Sequence, residues 1–300
     1  MKIKSILIIT LFLSGTMFAQ TDVKSGMSFL KIGFGARNIA LGDVGVISAS
    51  NSTASAYNPA LLTLNDNSQI TLSHNSWMTD VRSEMLGAKF YMLGLPFAAY
   101  INSSTINNIE LRQKPGEALG TFNVNYFAAS LSSAFNLNKS ISVGGTVKFL
   151  YQGIYADEAT GWAFDFGAVY KNLLDNLNLT FAVRNIGSMN QLKNDATKLP
   201  ASVSAGAGYF IQRHVRNFSV ELFTAVRKYI DDNNFHLHSG AEVGFKDFVF
   251  VRAGYITGYE ARSYSVGLGL NWRGFNFDYA FAPFDYALGN SNIISIQYTF

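Results

Sequence analysis

The sequence predicts an all-β chain: a transmembrane antiparallel β-barrel of about 14 strands, with an N-terminal hatch in its lumen. Three observations predict it. The chain opens on an export leader. From Gln69 to the last residue, apolar and polar side chains alternate with a period of two. The connections between the alternating segments are short and long in turn, as in barrels with tight turns on one side and loops on the other.

Composition agrees with this class. Charged residues make up 14% of the 300 residues, against roughly 25% in a typical soluble domain. Aromatic residues also reach 14%, with 25 Phe and 15 Tyr. A soluble globule of this make-up would leave a sizeable apolar surface in water. Cysteine is absent, which excludes disulfides and thiolate metal sites. The formal net charge of +3 is small and the basic residues are scattered, so no nucleic-acid partner is expected.

Taken in order, residues 1–20 (MKIKSILIITLFLSGTMFAQ) run from Lys2 and Lys4 through the apolar Ile6–Leu13 to Ser14, Gly15 and Ala19. Charged, apolar and small residues in that order read as a signal peptide. The apolar run falls short of the roughly 20 residues of a membrane-spanning helix. Cleavage is expected after Ala19 or Gln20, with export to the cell outer membrane. Removing Lys2 and Lys4 leaves 21 basic against 20 acidic residues.

Residues 21–67 do not alternate. They are rich in small residues, carry Gly33, Gly35, Gly42 and Gly45, and contain Asn58-Pro59. Short helices and turns are expected there. A barrel of this size encloses more space than its own side chains fill, so the segment is assigned to the lumen as a hatch. Residues 68–300 then form the barrel. Its strands are predicted near 68–77, 83–92, 96–106, 121–135, 140–153, 160–171, 176–186, 200–211, 216–228, 234–245, 247–257, 262–273, 275–282 and 291–300. In 160–171, Trp162, Phe164, Phe166, Ala168 and Tyr170 share one face, opposite Gly161, Asp165, Gly167 and Lys171.

Six connections read as tight: those near 94–96, 136–139, 171–176, 212–215, 246–247 and 273–274. Those at 107–120, 187–198 and 283–290 are longer and more polar. The last strand alternates to the final residue, with Ile294, Ile296, Tyr298 and Phe300 facing away from Ser295, Gln297 and Thr299. As a free edge it would be an aggregation hazard, and pairing with the first strand removes the edge. Tyr298 and Phe300 fall where an aromatic girdle meets outer-membrane lipid. An aromatic C-terminus on such a strand also resembles the signal by which bacterial outer-membrane proteins engage the barrel-assembly machinery.

FLKIGFGARNIALGDVGVISAS and AYNPALL near the start, with FDYAFAPF and LGNSNIISIQYTF at the end, resemble the PorV/PorQ family of Bacteroidetes outer-membrane proteins. That family is related in fold to FadL-type fourteen-stranded barrels with an N-terminal hatch. The matching hatch positions are Phe29, Leu30, Gly33, Gly35, Ala36, Arg37, Gly42, Asn58, Pro59 and Ala60. The chain departs from the motif at Tyr57, where members often carry Trp, and at Asp43, where a second Gly is common. The resemblance implies two roles. PorV-like proteins hold type IX secretion cargo by its C-terminal domain as it leaves the translocon, which makes translocon components and such domains expected partners. FadL-like relatives let hydrophobic molecules cross the outer membrane. External loops of at most about fourteen residues leave little material for a capturing lid, which ranks the adaptor role ahead of transport on the sequence alone.

Sharper readings of single motifs give way to plainer ones. GFGAR has no preceding strand and no following Lys-Ser/Thr, so its glycines read as turn residues rather than a phosphate loop. Arg37, if buried, must be paired, with Asp165, Glu221, Glu242 or Asp278 as candidate partners and a ligand carboxylate as the alternative. His236 and His238 share a lumen face with Glu242 at a spacing a metal site can use, though polar residues are ordinary there. No nucleophile–base set can be assembled and no elbow motif exists. No catalytic residue, metal or cofactor is assigned, and the chain is not expected to be an enzyme.

Overall fold

The computed structural model describes residues 26–77, 81–193, 195–211 and 217–300. The leader, residues 21–25 and the tight turn expected at 212–215 lie outside them. Fourteen antiparallel strands close into one barrel. They are β1 (Gln69–Trp77), β2 (Val81–Met92), β3 (Leu95–Leu111), β4 (Gly120–Asn136), β5 (Ile141–Ile154), β6 (Asp157–Leu174) and β7 (Leu177–Met189), followed by β8 (Ser202–Ile211), β9 (Phe218–Tyr229), β10 (Phe235–Phe245), β11 (Val249–Ile256), β12 (Tyr264–Trp272), β13 (Phe275–Pro283) and β14 (Asn290–Thr299). The last strand pairs with the first in register, Ile70 opposite Tyr298 and Leu72 opposite Ile296. The Phe300 amide donates to the Ser68 carbonyl at 3.0 Å. The regular pattern reaches the terminus because the terminus has a partner.

Period two sorts the wall into two faces. Outward side chains are apolar over most of the circumference, as with Tyr264, Val266, Leu268, Leu270 and Trp272 on β12. Near the end that carries Ser68 and Phe300, here the terminal end, aromatic rings gather: Phe275 lies 4.6 Å from Tyr298, which lies 6.0 Å from Phe300. One outward pair breaks the apolar face, His74 with Glu84 at 2.6 Å. Inward side chains are small or polar, and most are buried.

Several strands run further than the alternation shows. β3 continues through Leu111, so the connection expected over 107–120 shortens to 112–119. A bulge near Asn108, at φ 58°, interrupts the pairing and hides the continuation from a strict count. β6 begins at Asp157, leaving only Tyr155 and Ala156 as the connection from β5, a tight turn at the distal end. Short and long connections therefore alternate less strictly than expected. The loop between β7 and β8 holds a small hairpin, Gln191–Leu192 with Asp195–Ala196.

What fills the barrel is the segment from residue 26 to 67. It comprises a 3-10 turn (Ser28–Lys31), α1 (Ala36–Ala40), α2 (Gly45–Ser48), α3 (Ala54–Tyr57) and a second 3-10 turn (Pro59–Leu64). Its helices stay short because the chain must reverse between them, through Gly35 at φ 76°, Gly42 at φ 73° and Asp43 at φ 56°. From residue 36 to 62 every residue is buried except Arg37, Ser50 and Asn51. α1 packs on β11–β14, α2 on β7–β9, and the second 3-10 turn on β3–β6.

Candidate functional site

The segment is fixed to the wall in three different ways. On β9–β13 the contact is ionic. Arg37 reaches Glu242 through Nε at 2.9 Å and Nη2 at 3.1 Å, reaches Glu221 at 2.7 Å, and also donates to the Ser48 carbonyl. Arg252 bridges Glu242 to Asp278, the latter at 2.6 Å. Burial works against the Arg37 charge, but Glu242 and Glu221 outweigh it and hold the guanidinium more firmly protonated than usual. Of the four candidate partners, Glu242 and Glu221 bond Arg37 directly. Asp165 pairs instead with Lys148 at 2.5 Å.

The same side carries backbone-to-backbone contact. A Cβ added to Gly254 would lie 1.9 Å from the Gly42 amide nitrogen, so a side chain there would push the segment off β11. His238 donates from Nδ1 to the Gly42 carbonyl at 2.7 Å, and His236 bonds Asp232 at 3.2 Å. The histidines thus hold different partners, and among the described residues no group of three metal-ligating side chains forms.

A second buried centre joins the two departures from the resembled motif. The Tyr57 hydroxyl donates to Asp43 Oδ1 at 2.6 Å and accepts from the Phe34 amide at 2.6 Å. Asp43 Oδ2 accepts from Arg227 at 2.9 Å, with Arg262 at 4.0 Å. Burial raises the Asp43 carboxyl, but Arg227 and Arg262 outweigh it and hold the group below its usual range. Burial and the neighbouring Asp43 carboxylate push the Tyr57 phenol well up.

On β3–β6 the contact is apolar, with Leu61 and Leu62 among Ala98, Ala128, Ala134 and Leu150. Asn58 ends α3 and caps the next turn, accepting from the Ala60 amide at 3.1 Å, while its Nδ2 donates to the Ala168 carbonyl of β6 at 3.2 Å. Pro59 follows at the first position of that turn, where no amide donor is needed. Gly167 leaves room for Asn58: a Cβ there would sit 1.9 Å from its Oδ1. Phe29 stacks on Tyr126 at 5.1 Å between centroids, while Gly33 passes Asp43 and Tyr57 too closely for any side chain.

Above the segment, at the distal end, the lumen stays open. A cavity of about 620 Å³ is lined by Phe29, Ile32, Trp77, Ile106, Tyr126 and Phe284, with Tyr229 and Tyr259 on the other side. Polar side chains share the lining, Ser28, Ser104 and Asn234 among them. Lys31 lies over the Tyr229 ring at 4.8 Å and Arg262 over Trp77 at 5.2 Å, while Asp232, His236 and Glu260 complete the rim. Ligand sites typically have this size, with apolar walls and polar groups that orient the ligand. The sequence reading missed the cavity because its residues come from the lumenal segment, six strands and three loops. Of the residues singled out beforehand, Phe29 and His236 alone line it.

No protein-family model matches the chain, and no curated protein is similar to it. Solved structures similar in fold include the Pseudomonas putida toluene transporter TodX, with a TM-score of 0.61 at 13% identity over 89% of this chain and 99% of that one. The monoaromatic hydrocarbon channel CymD gives 0.58 at 12% identity over 89% and 97%. A Pseudomonas aeruginosa FadL homologue gives 0.53 at 12% over 88% and 96%. These likenesses establish that the chain is folded like FadL-type barrels.

Proposed function

We propose that the protein is an outer-membrane channel that admits small apolar molecules into the distal cavity, with residues 26–67 serving as its hatch. The outward apolar wall faces lipid, the export leader directs the chain to the outer membrane, and the terminal end faces the periplasm. The observation that carries this reading is the cavity of about 620 Å³, open at the distal end, walled by aromatic and aliphatic side chains and floored by the hatch. Its apolar walls favour ligands that water excludes. The fold likeness to a toluene transporter and a monoaromatic hydrocarbon channel supports the same class of ligand.

The order of the two roles ranked on the sequence therefore reverses. The short distal loops that argued against a lid do not argue against a ligand site, because the cavity is walled by the barrel itself. The type IX adaptor role rests on the resemblance of the two chain ends alone.

Equilibrium binding of radiolabelled toluene to the purified barrel tests the proposal, with Ile106→Trp as the variant that fills the cavity. Saturable binding that falls at least tenfold in Ile106→Trp is expected. Absent binding, or equal binding in both proteins, removes the channel reading. Co-purification of secretion components with a ligand-free barrel would restore the adaptor.

A further inference from the structure

We propose that the plugged barrel conducts water along a seam between the hatch and the inner face of β14, β1, β2 and β3. The seam is a further contact around the segment, rich in neutral polar side chains, with Arg37 and Asp278 of the ionic cluster bordering its terminal void and Phe34 and Met85 its distal one. Two small voids mark it. One lies toward the terminal end between Gly35, Asn51, Thr71, Ser295 and Gln297, and the other toward the distal end between Ile32, Ser73, Asn75, Ser83 and Asn102. Each offers about 10 Å³ to the centre of a water molecule, the room one ordered water needs.

The side chains around these voids ask for water. Thr71 is 1% exposed and Asn75 5%, yet Thr71 Oγ1 and Asn75 Nδ2 have no hydrogen-bond partner in the protein, and Gln69 Oε1 on the same strand face has none either. Buried polar groups are almost always bonded to protein or ordered water. Three orphans on one strand, two of them bordering voids of one-water size, therefore place waters in the seam.

Hydrogen-bonding side chains link the voids to each other and to both ends. Ser83 donates to Ser104 at 2.9 Å, and Ser104 and Ile32 also line the distal cavity. Between the voids, Ser295 Oγ meets Ser73 Oγ at 2.8 Å and accepts from the Ala36 amide at 2.8 Å. This is the narrowest point, and it is built of hydroxyls that can rotate to pass hydrogen bonds along a file. At the terminal end the file reaches Asn51 and the exposed Ser50. Against β11 the segment is held instead by close backbone contact at Gly254, and against β3–β6 by packed leucines. The seam admits single waters and excludes solutes that occupy more than one water's space.

The inference rests on the reading of the wall as membrane-spanning and not on what the distal cavity binds. Stopped-flow osmotic shrinkage of phospholipid vesicles carrying the full protein tests it, against protein-free vesicles and vesicles carrying Ser73→Leu or Asn75→Leu. Wild type is expected to shrink severalfold faster than protein-free vesicles, and either variant to return to the protein-free rate. Heat-modifiable gel migration of the same variants shows that the barrel is folded. Equal rates for wild type and protein-free vesicles overturn the inference, as do equal rates for wild type and both folded variants. Leakage of the sucrose used as osmolyte overturns it as well, since the path would then be a wider pore. Toluene binding with no water flux removes the seam alone and leaves the channel reading standing.

Discussion

Replacing Arg37 by Met keeps the stem of the side chain and removes the charge that ties the lumenal segment, the proposed hatch, to β9 and β10. Three carboxylate contacts, at 2.7, 2.9 and 3.1 Å, are lost, together with the bond to the Ser48 carbonyl. Breaking a buried ion pair by deleting one partner costs about 3–5 kcal/mol, because the other charge is left uncompensated. Two features place this site at the lower end. Glu242 keeps Arg252 as a partner, and the Glu221 side chain is 28% exposed, so water can reach it. A cost of about 3 kcal/mol follows, close to a hundredfold in an equilibrium at 1.4 kcal/mol per tenfold. The loss falls on the hatch and spares the strand ladder. Amide hydrogen exchange should therefore accelerate about a hundredfold over residues 36–48, with the strands unchanged. Adding Glu221→Gln should recover part of the loss, since Arg37 is the ion-pair partner of Glu221 among the described residues and Glu242 remains paired with Arg252. Exchange over 36–48 within about twofold of wild type would show that leucine packing alone holds the hatch, and the ionic reading would fail.

Asp43 sets the acid limit of the same structure. Its carboxyl is held below the usual value of 3.8, so its contribution is full above about pH 4 and fades as pH falls through the lower folded value; protease cleavage of the hatch should be flat from pH 7 to 5 and rise below 4, a rise that Asp43→Asn should flatten. Gly42→Ala places a Cβ 2.7 Å from the Ser239 carbonyl at a residue with φ 73°, and should weaken hatch anchoring by about 1–3 kcal/mol, read as faster exchange at Leu41 and Val44. His74→Leu with Glu84→Leu removes a hydrogen-bonded polar pair from the outward wall, and should raise stability to urea in vesicles by about 1–2 kcal/mol; a loss would mean that the pair has a partner in the membrane.

The barrel was legible because each strand has one outward apolar face and one lumen face, and unlike faces print a period of two on the chain. Fourteen segments were countable for that reason, and their lumen face gave four candidate partners for Arg37, of which Glu221 and Glu242 bond it. Strand ends were less legible. Beyond the apolar band the outward residues of β3 turn polar, as at Thr105, Asn107 and Glu110, so the alternation fades while the ladder continues to Leu111. The wall glycines were opaque for another reason. Gly167 and Gly254 differ from other glycines only in what approaches them from inside, and that is decided by a segment more than a hundred residues away.

Asp43 and Tyr57 show how far a motif can mislead when its positions are read one by one. Separately, each is a departure from the pattern the chain resembles. In the structure they are one change, because the Tyr57 hydroxyl and the Arg227 guanidinium meet on the Asp43 carboxylate. Asp43 sits at φ 56°, a conformation glycine adopts freely and aspartate tolerates better than most residues. The backbone demand that favours a second glycine is therefore still met. Once aspartate stands there, its buried charge requires Arg227, and its second oxygen requires a donor at position 57. A tryptophan at 57 has no hydroxyl, so it would give up the bonds to Asp43 and the Phe34 amide together. Neither position could revert to the motif alone without leaving a buried charge or a buried lone pair unpaired, and Arg227 belongs to the same set although it lies 184 residues away.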